Sequence, residues 1–322
     1  MRALTTVSVL TLVSAAATPA ASAEWETGVS GFYHLGVAFS DGAGQDGPGI
    51  LRDGEIHITG ELTTDSGITY EAVVEIESFT SSDQIDKNYA SVSGFFGTVK
   101  IGGDDTAIAT YANGVFGAPG SHIGYVDHNP ITTAADDVAA IAGGENAIGL
   151  HYDTPEFMGF QIGVSYLPSL GADGAGDVNT PVFEGSDFWS VGGAYNGEFG
   201  DIALGISAGY ADEQGPNNDV WSVGGYVGFG GFAIAGGYQD GAAGYTDGAA
   251  AGETFYVGAS YATGPWEFAG GYSNNNLNDT DVAAAWATYN LAPGVSMTGG
   301  LEYGDDGANE DIGGIAYMSL LF

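Results

Sequence analysis

Apolar and polar positions alternate along most of this chain with a period of two, the mark of β-strands whose two faces meet different surroundings. Over residues 25–41, Val29, Tyr33, Leu35, Val37 and Phe39 fall on one face, and Ser30, His34, Ala38 and Ser40 on the other. Residues 41–49 (DGAGQDGPG) read as a turn by their Gly, Asp and Pro content. Residues 54–63 and 68–77 follow, joined by a short turn at Asp65, Ser66 and Gly67. One face of this pair carries Ile56, Ile58, Leu62, Ile68, Tyr70, Ala72, Val74 and Ile76; the other carries Glu55, His57, Glu61, Glu71, Glu75 and Glu77. A soluble sandwich would turn the polar face to solvent, whereas a membrane barrel would line water with it and show the apolar face to lipid. Local alternation does not separate the two.

The spacing of the connections does. Short links at residues 64–67, 94–97, 155–159, 197–201, 229–231, 264–265 and 292–294 alternate with longer, acidic ones at 167–187, 211–219, 240–252, 273–279 and 304–310. Short turns on one rim and long loops on the other are the habit of an outer-membrane barrel. Tyr166, Tyr210, Tyr238, Tyr272 and Tyr303 stand where strands run into long links, and Phe96, Phe157, Phe160, Phe199, Phe229, Phe232, Trp266 and Tyr289 stand near the short ones. Two such rows match the aromatic girdles of the two membrane interfaces. The pattern predicts an all-β chain, a transmembrane antiparallel β-barrel of about sixteen strands. The last strand, residues 311–322, ends on Phe322, and an even strand count puts both termini on the short-turn rim.

Alternation lapses over residues 103–146, which still carry Ile108, Tyr111, Val115, Phe116, Ile123, Tyr125, Val138 and Ile141. That is too apolar for a disordered tail and suits a folded insert. Inside a barrel it would narrow the lumen. Residues 133–143 read as a short helix, with a Thr133-x-x-Asp136 start and a Gly143 stop. The insert's acids are Asp104, Asp105, Asp127, Asp136, Asp137 and Glu145; Asp136 and Asp137 suit either the pore or the first turn of that helix.

Residues 1–23 read as a removable export signal: Arg2, an apolar run over 3–13, and Ala21, Ser22 and Ala23 before cleavage ahead of Glu24. Residues 24–322 then form a single barrel, and no later apolar run reaches the length of a spanning helix. Cysteine is absent, so neither disulfides nor thiolate chemistry enter. Acids number 41 against four Lys and Arg, a formal charge of −37, which excludes nucleic acid as a partner class and draws cations toward the surface. A saline habitat would account for the same excess.

Other chemical motifs are weak. Residues 205–209 match G-x-S-x-G, but alternation runs straight through them, where a hydrolase needs a strand bending sharply into a helix. His122 and His128 flank Asp127 without a paired metal scaffold. Carboxylate-rich loops such as residues 173–177 offer oxygen ligands for Ca²⁺ without EF-hand spacing. No cofactor is required by this reading. An outer-membrane hydrolase and a secreted soluble adhesin are the competing classes; the first lacks a convergent Ser or Asp with His, and detergent dependence would separate the second.

Residues 93–105 (SGFFGTVKIGGDD), residues 151–166 (HYDTPEFMGFQIGVSY), the export signal and terminal Phe322 together resemble the general diffusion porins of Gram-negative bacteria, most closely the Rhodobacter-type porins of alphaproteobacteria. The resemblance implies a sixteen-stranded barrel in the outer membrane, in contact with its lipid and lipopolysaccharide. It implies a homotrimer passing small hydrophilic solutes by diffusion, and a third external loop folded inward as the constriction. It also allows bound calcium without naming its ligands. Such porins set loop acids against a basic wall, yet here only Arg52, Lys87 and Lys100 remain after cleavage. The expected pore wall is His34, Arg52, Glu55, His57, Glu61, Glu71, Glu75, Lys100 and His151, with Arg52 near a strand start where phase is ambiguous. Rings of carboxylates favour cations, so the expected preference is for cations.

Overall fold

Sixteen strands and one helical turn make up the regular structure of the computed structural model, which describes residues 24–41, 47–79, 84–111, 148–168, 187–213, 218–241, 252–276, 279–305, 307–308 and 310–322. The first strands are β1 (Glu26–Ser40), β2 (Gly47–Thr63), β3 (Thr69–Glu77), β4 (Ile85–Gly94) and β5 (Gly97–Gly103). The turn α1 (Ala107–Thr110) precedes β6 (Ile148–Asp153), β7 (Phe160–Leu167), β8 (Phe188–Phe199), β9 (Ile202–Asp212) and β10 (Asp219–Phe229). The chain finishes with β11 (Phe232–Gly241), β12 (Gly252–Thr263), β13 (Trp266–Asn275), β14 (Thr280–Ala292), β15 (Val295–Asp305) and β16 (Glu310–Leu321). Each strand pairs antiparallel with its sequence neighbours, and β1 pairs with β16 to close the barrel.

The two faces of the wall reverse the order of a soluble protein. Ile162, Val164, Ile206, Val227, Ile234, Val257 and Leu301 are exposed on the outside, while Ser165, Ser190, Ser222, Gln239, Thr254 and Ser273 are buried on the inside. Only a surface that meets hydrocarbon makes this arrangement stable, and a closed sheet leaves no strand edge unpaired. The aromatic rows fall as expected. Trp189 and Tyr210, Trp221 and Tyr238, and Phe255 and Tyr272 meet near the long connections at centroid distances of 5.1–5.6 Å. Phe160 and Tyr195, Phe232 and Tyr261, and Trp266 and Tyr289 meet near the short ones at 4.2–4.7 Å. The two-residue link at Gly230 and Gly231 has φ of 57° and 86°, the double left-handed conformation that glycine adopts most easily.

Closure uses the last residue. Gly31 N–H donates to the Phe322 carbonyl at 2.9 Å and Phe322 N–H donates to the Gly31 carbonyl at 3.1 Å. The Tyr33 and Phe322 rings stack beside this join at 6.2 Å. Two apolar clusters lie on the inner wall: Ile108 with Leu167, Phe188, Ala211 and Val220, and Leu51 with Ala284, Ile315 and Tyr317.

One boundary departs from the sequence reading. Residues 41–49 were expected to form a turn, but β2 begins at Gly47, and Gly47, Pro48 and Gly49 pair with Ser40, Phe39 and Ala38. On its other side β2 meets β3 only from Glu55 onward, where Glu55 faces Glu77. Among the described residues, Pro48 therefore lies beyond the paired span on that flank, the setting that tolerates a residue without an N–H.

Candidate functional site

Within the described residues, most ionisable side chains of the inner wall gather on β1 to β6 and at the base of the connection that follows β5, with Glu302 of β15 and Asp311 of β16 buried on the same face farther round the barrel. Period-two alternation puts them there: His34 pairs with Asp53, His57 with Glu75 and Glu61 with Glu71, all on the inward face of β1, β2 and β3. Lys100 of β5 stands between Ser91 of β4 and His151 of β6. His34 Nδ1 lies 3.3 Å from Asp53 Oδ2. His57 is flanked by two carboxylates, with Nε2 3.3 Å from Glu55 Oε2 and Nδ1 3.8 Å from Glu75 Oε1. The Ser91 hydroxyl donates to Glu71 Oε2 at 3.3 Å.

Both lysines are held by the first acids of the connection. Lys100 Nζ donates to Asp104 Oδ2 at 2.6 Å, and Lys87 Nζ donates to Asp105 Oδ2 at 2.7 Å. The Lys100–Asp104 pair is the more enclosed, since the Asp104 side chain is 7% exposed and that of Asp105 is 31% exposed. The Lys100 ammonium also stands 5.1 Å from the centre of the Tyr89 ring, a cation–π distance.

Past these acids the chain turns inward along the neighbouring stretch of wall. The turn α1 packs on the inward faces of β7, β8 and β9, with Ile108 buried among Leu167, Phe188, Ala211 and Val220. Glycines make the seat: a Cβ at Gly192 would collide with the Ala107 carbonyl, and one at Gly209 would stand 2.6 Å from Ile108 Cγ1. Ser165 Oγ accepts the Ala107 N–H at 2.8 Å, satisfying a donor the helical turn leaves free, and lies 2.9 Å from His151 Nδ1. The Tyr111 hydroxyl donates to Asp153 Oδ1 at 2.8 Å. Burial, and then the hydrogen bond and charge of Asp153, hold that phenol protonated well above its ordinary range.

Most of the expected wall is thus brought together: His34, Glu55, His57, Glu61, Glu71, Glu75 and Lys100 share one inward arc. Arg52 does not join it. It pairs with Leu35 on the outward face, and its guanidinium carbon stands 5.7 Å from the centre of the Phe79 ring. Alternation explains the placement, because Arg52 is in phase with outward Ile56 and Ile58. His151 faces inward but is 3% exposed, lying under the base of the connection instead of lining open water. Asp127, Asp136, Asp137, Glu145, His122 and His128 lie outside the described residues, as do the helix expected at 133–143, the carboxylates of 173–177 and the export signal at 1–23. Asp53 and Asp153 were not picked out from the sequence, and Lys87 was named there only as a remaining base, not as part of the wall.

A family model described as Gram-negative porin matches residues 6–309. This chain belongs to the Gram-negative porin family. The porin has no match among curated proteins. Its barrel is similar to solved structures of engineered Rhodopseudomonas blastica porins. One, a double mutant, superposes with a TM-score of 0.64 at 18% identity, covering 92% of this chain and 100% of that one. A triple mutant gives 0.63 at 18% identity with the same coverage. Membership makes this porin an outer-membrane channel for passive diffusion, as the resemblance of residues 93–105 and 151–166 implied. The insert follows β5 and is the third long connection of the barrel, the position that the resemblance gave it.

Proposed function

We propose that this porin is a homotrimeric, cation-preferring channel for small hydrophilic solutes, exported by cleavage after Ala23 and seated among outer-membrane lipid and lipopolysaccharide. Residues 103–146 fold into the lumen and form its constriction. The observation that carries the preference is the pairing of charges on the wall. Lys87 and Lys100 are each engaged by an aspartate, whereas among the described residues no lysine or arginine pairs with Glu55, Glu61, Glu71 or Glu75. Glu61 faces Glu71 across one register position, and Glu55 faces Glu77 at another. Like charges in register repel, and a hydrated cation between them relieves the repulsion. The inward path is supported by α1, whose seat on the inner faces of β7 to β9 holds the start of the insert inside the barrel.

Transport needs no cofactor, because diffusion down a gradient is coupled to nothing. Calcium held by loop carboxylates would stiffen a rim without taking part in the passage of solute. The test is the reversal potential of purified protein in a planar bilayer under a KCl gradient. Conductance steps in groups of three with a K⁺-directed potential are expected; a Cl⁻-directed potential would overturn the preference, and single steps the trimer.

A further inference from the structure

We infer that Glu55, His57 and Glu75 form a site for a divalent transition-metal ion of the Zn²⁺ class on the inner wall of β2 and β3. The inference rests on the lumen reading above only for its consequence on current; binding itself does not depend on conduction.

Strand geometry assembles the donors. His57 and Glu75 occupy one register position, and Glu55 lies two residues along β2 on the same face. One imidazole nitrogen and one oxygen from each carboxylate come within 4.8 Å of one another. Tetrahedral zinc with bonds of about 2.1 Å spaces its ligand atoms about 3.4 Å apart, so side-chain rotation without backbone movement completes the set. Glu55 Oε1 is shielded from solvent and makes no hydrogen bond, and the shielded His57 Nε2 has only the 3.3 Å approach of Glu55 Oε2, without hydrogen-bond geometry. Shielded groups of this kind ordinarily find a partner, and here an acceptor oxygen and a ring nitrogen are both available to a cation.

The donor set decides the class of ion. Calcium takes six to eight oxygens and gains little from an imidazole. Zinc and its neighbours bind imidazole and carboxylate together, with a fourth position left for water. That fourth position faces the lumen. Glu77 opposite Glu55, together with Asp53 two residues away on the same face, adds negative charge that draws a divalent ion in. An ion bound there would replace local negative charge with positive charge and reduce cation current.

The test is calorimetric titration of detergent-solubilised protein with Zn²⁺ in the presence of excess Ca²⁺, which occupies oxygen-only sites. The wild type should show a saturable component of about one ion per chain. Altering groups that merely orient ligands costs metal sites about 10–100-fold, so loss of a ligand in H57Q or E75Q should weaken this component by about a hundredfold or more. H34Q should leave it unchanged. Folding is checked for each variant by heat-dependent migration on gels, and E75Q serves if H57Q fails to fold. Undiminished binding in folded H57Q or E75Q, or no zinc component over the calcium background, would overturn the site. Zinc binding by a protein that passes no current would keep the site and overturn the channel reading instead.

Discussion

The inner wall of this barrel has two halves that share a strand pattern and differ in chemistry. From β1 to β6 the inward positions carry His34, Asp53, Glu55, His57, Glu61, Glu71, Glu75, Lys87, Lys100, His151 and Asp153. From β7 to β13 they carry Ser165, Ser190, Ser222, Gln239, Thr254 and Ser273, with Glu198 and Glu267 only beside the short turns; β14 to β16, which join the two, add the buried acids Glu302 and Asp311. The outward faces of both halves are largely apolar. Sheet pairing is made by the backbone and lipid contact by one set of alternate positions, so the other set is free to vary as long as it meets water or a partner. The halves also treat the insert differently: the charged half holds its base through ion pairs, and the neutral half receives α1 through apolar contact and missing side chains.

Removing a partner from the enclosed ion pair should have the largest effect. K100M leaves Asp104 buried without its cation and is expected to cost about 3–5 kcal/mol, read as a lower guanidinium midpoint. The double variant K100M/D104N should recover much of that loss. K87M, whose partner Asp105 is partly exposed, should cost about 1 kcal/mol or less. Equal losses in K100M and K87M would mean that enclosure does not distinguish the pairs.

On the neutral half the sharpest probe is steric. G192A places a methyl group against the Ala107 carbonyl and should cost about 1–3 kcal/mol by overpacking, with a change in conductance as α1 is displaced. G299A, where the nearest atom to the new Cβ is the Ile315 carbonyl at 3.7 Å, should stay within about 0.5 kcal/mol of wild type. A wild-type conductance in G192A would show that α1 does not shape the pore. The smallest effect on stability and the most selective on function belongs to E55Q/E71Q/E75Q, which should move the reversal potential toward zero, most clearly at low salt. S222A, on the neutral half, should leave the potential where it was.

Much of this could be read along the chain. Strand number, closure as a barrel and the position of the insert followed from alternation, from unequal connections and from the placement of tyrosines, all of which are properties of local order. The arc containing Glu55, His57, Glu71, Glu75 and Lys100 followed from phase alone. Asp53 was hidden because the residues before it look like a turn, and their strand pairing is set by β1 across the way. Lys87 was hidden by a register shift between β3 and β4 at Val74 and Ile76, which breaks the phase that would have placed it. Arg52 was put on the pore wall although its phase puts it outside. The engagement of Asp104 and Asp105 by lysines on two different strands depends on which strands become neighbours, and no spacing within a single segment records that.

The join between Gly31 and Phe322 bears on how such a chain reaches its final state. Every other strand pairing links sequence neighbours, so those hairpins can form with little loss of chain entropy, and the sheet can grow strand by strand. The last pairing links the first strand to the sixteenth, but by then the hairpins have already curled them toward each other. A contact of extreme sequence separation thus becomes a short final step, available only when the terminal residue has arrived. A chain shortened by even its last strand would keep two open edges, each a template for adhesion to another copy.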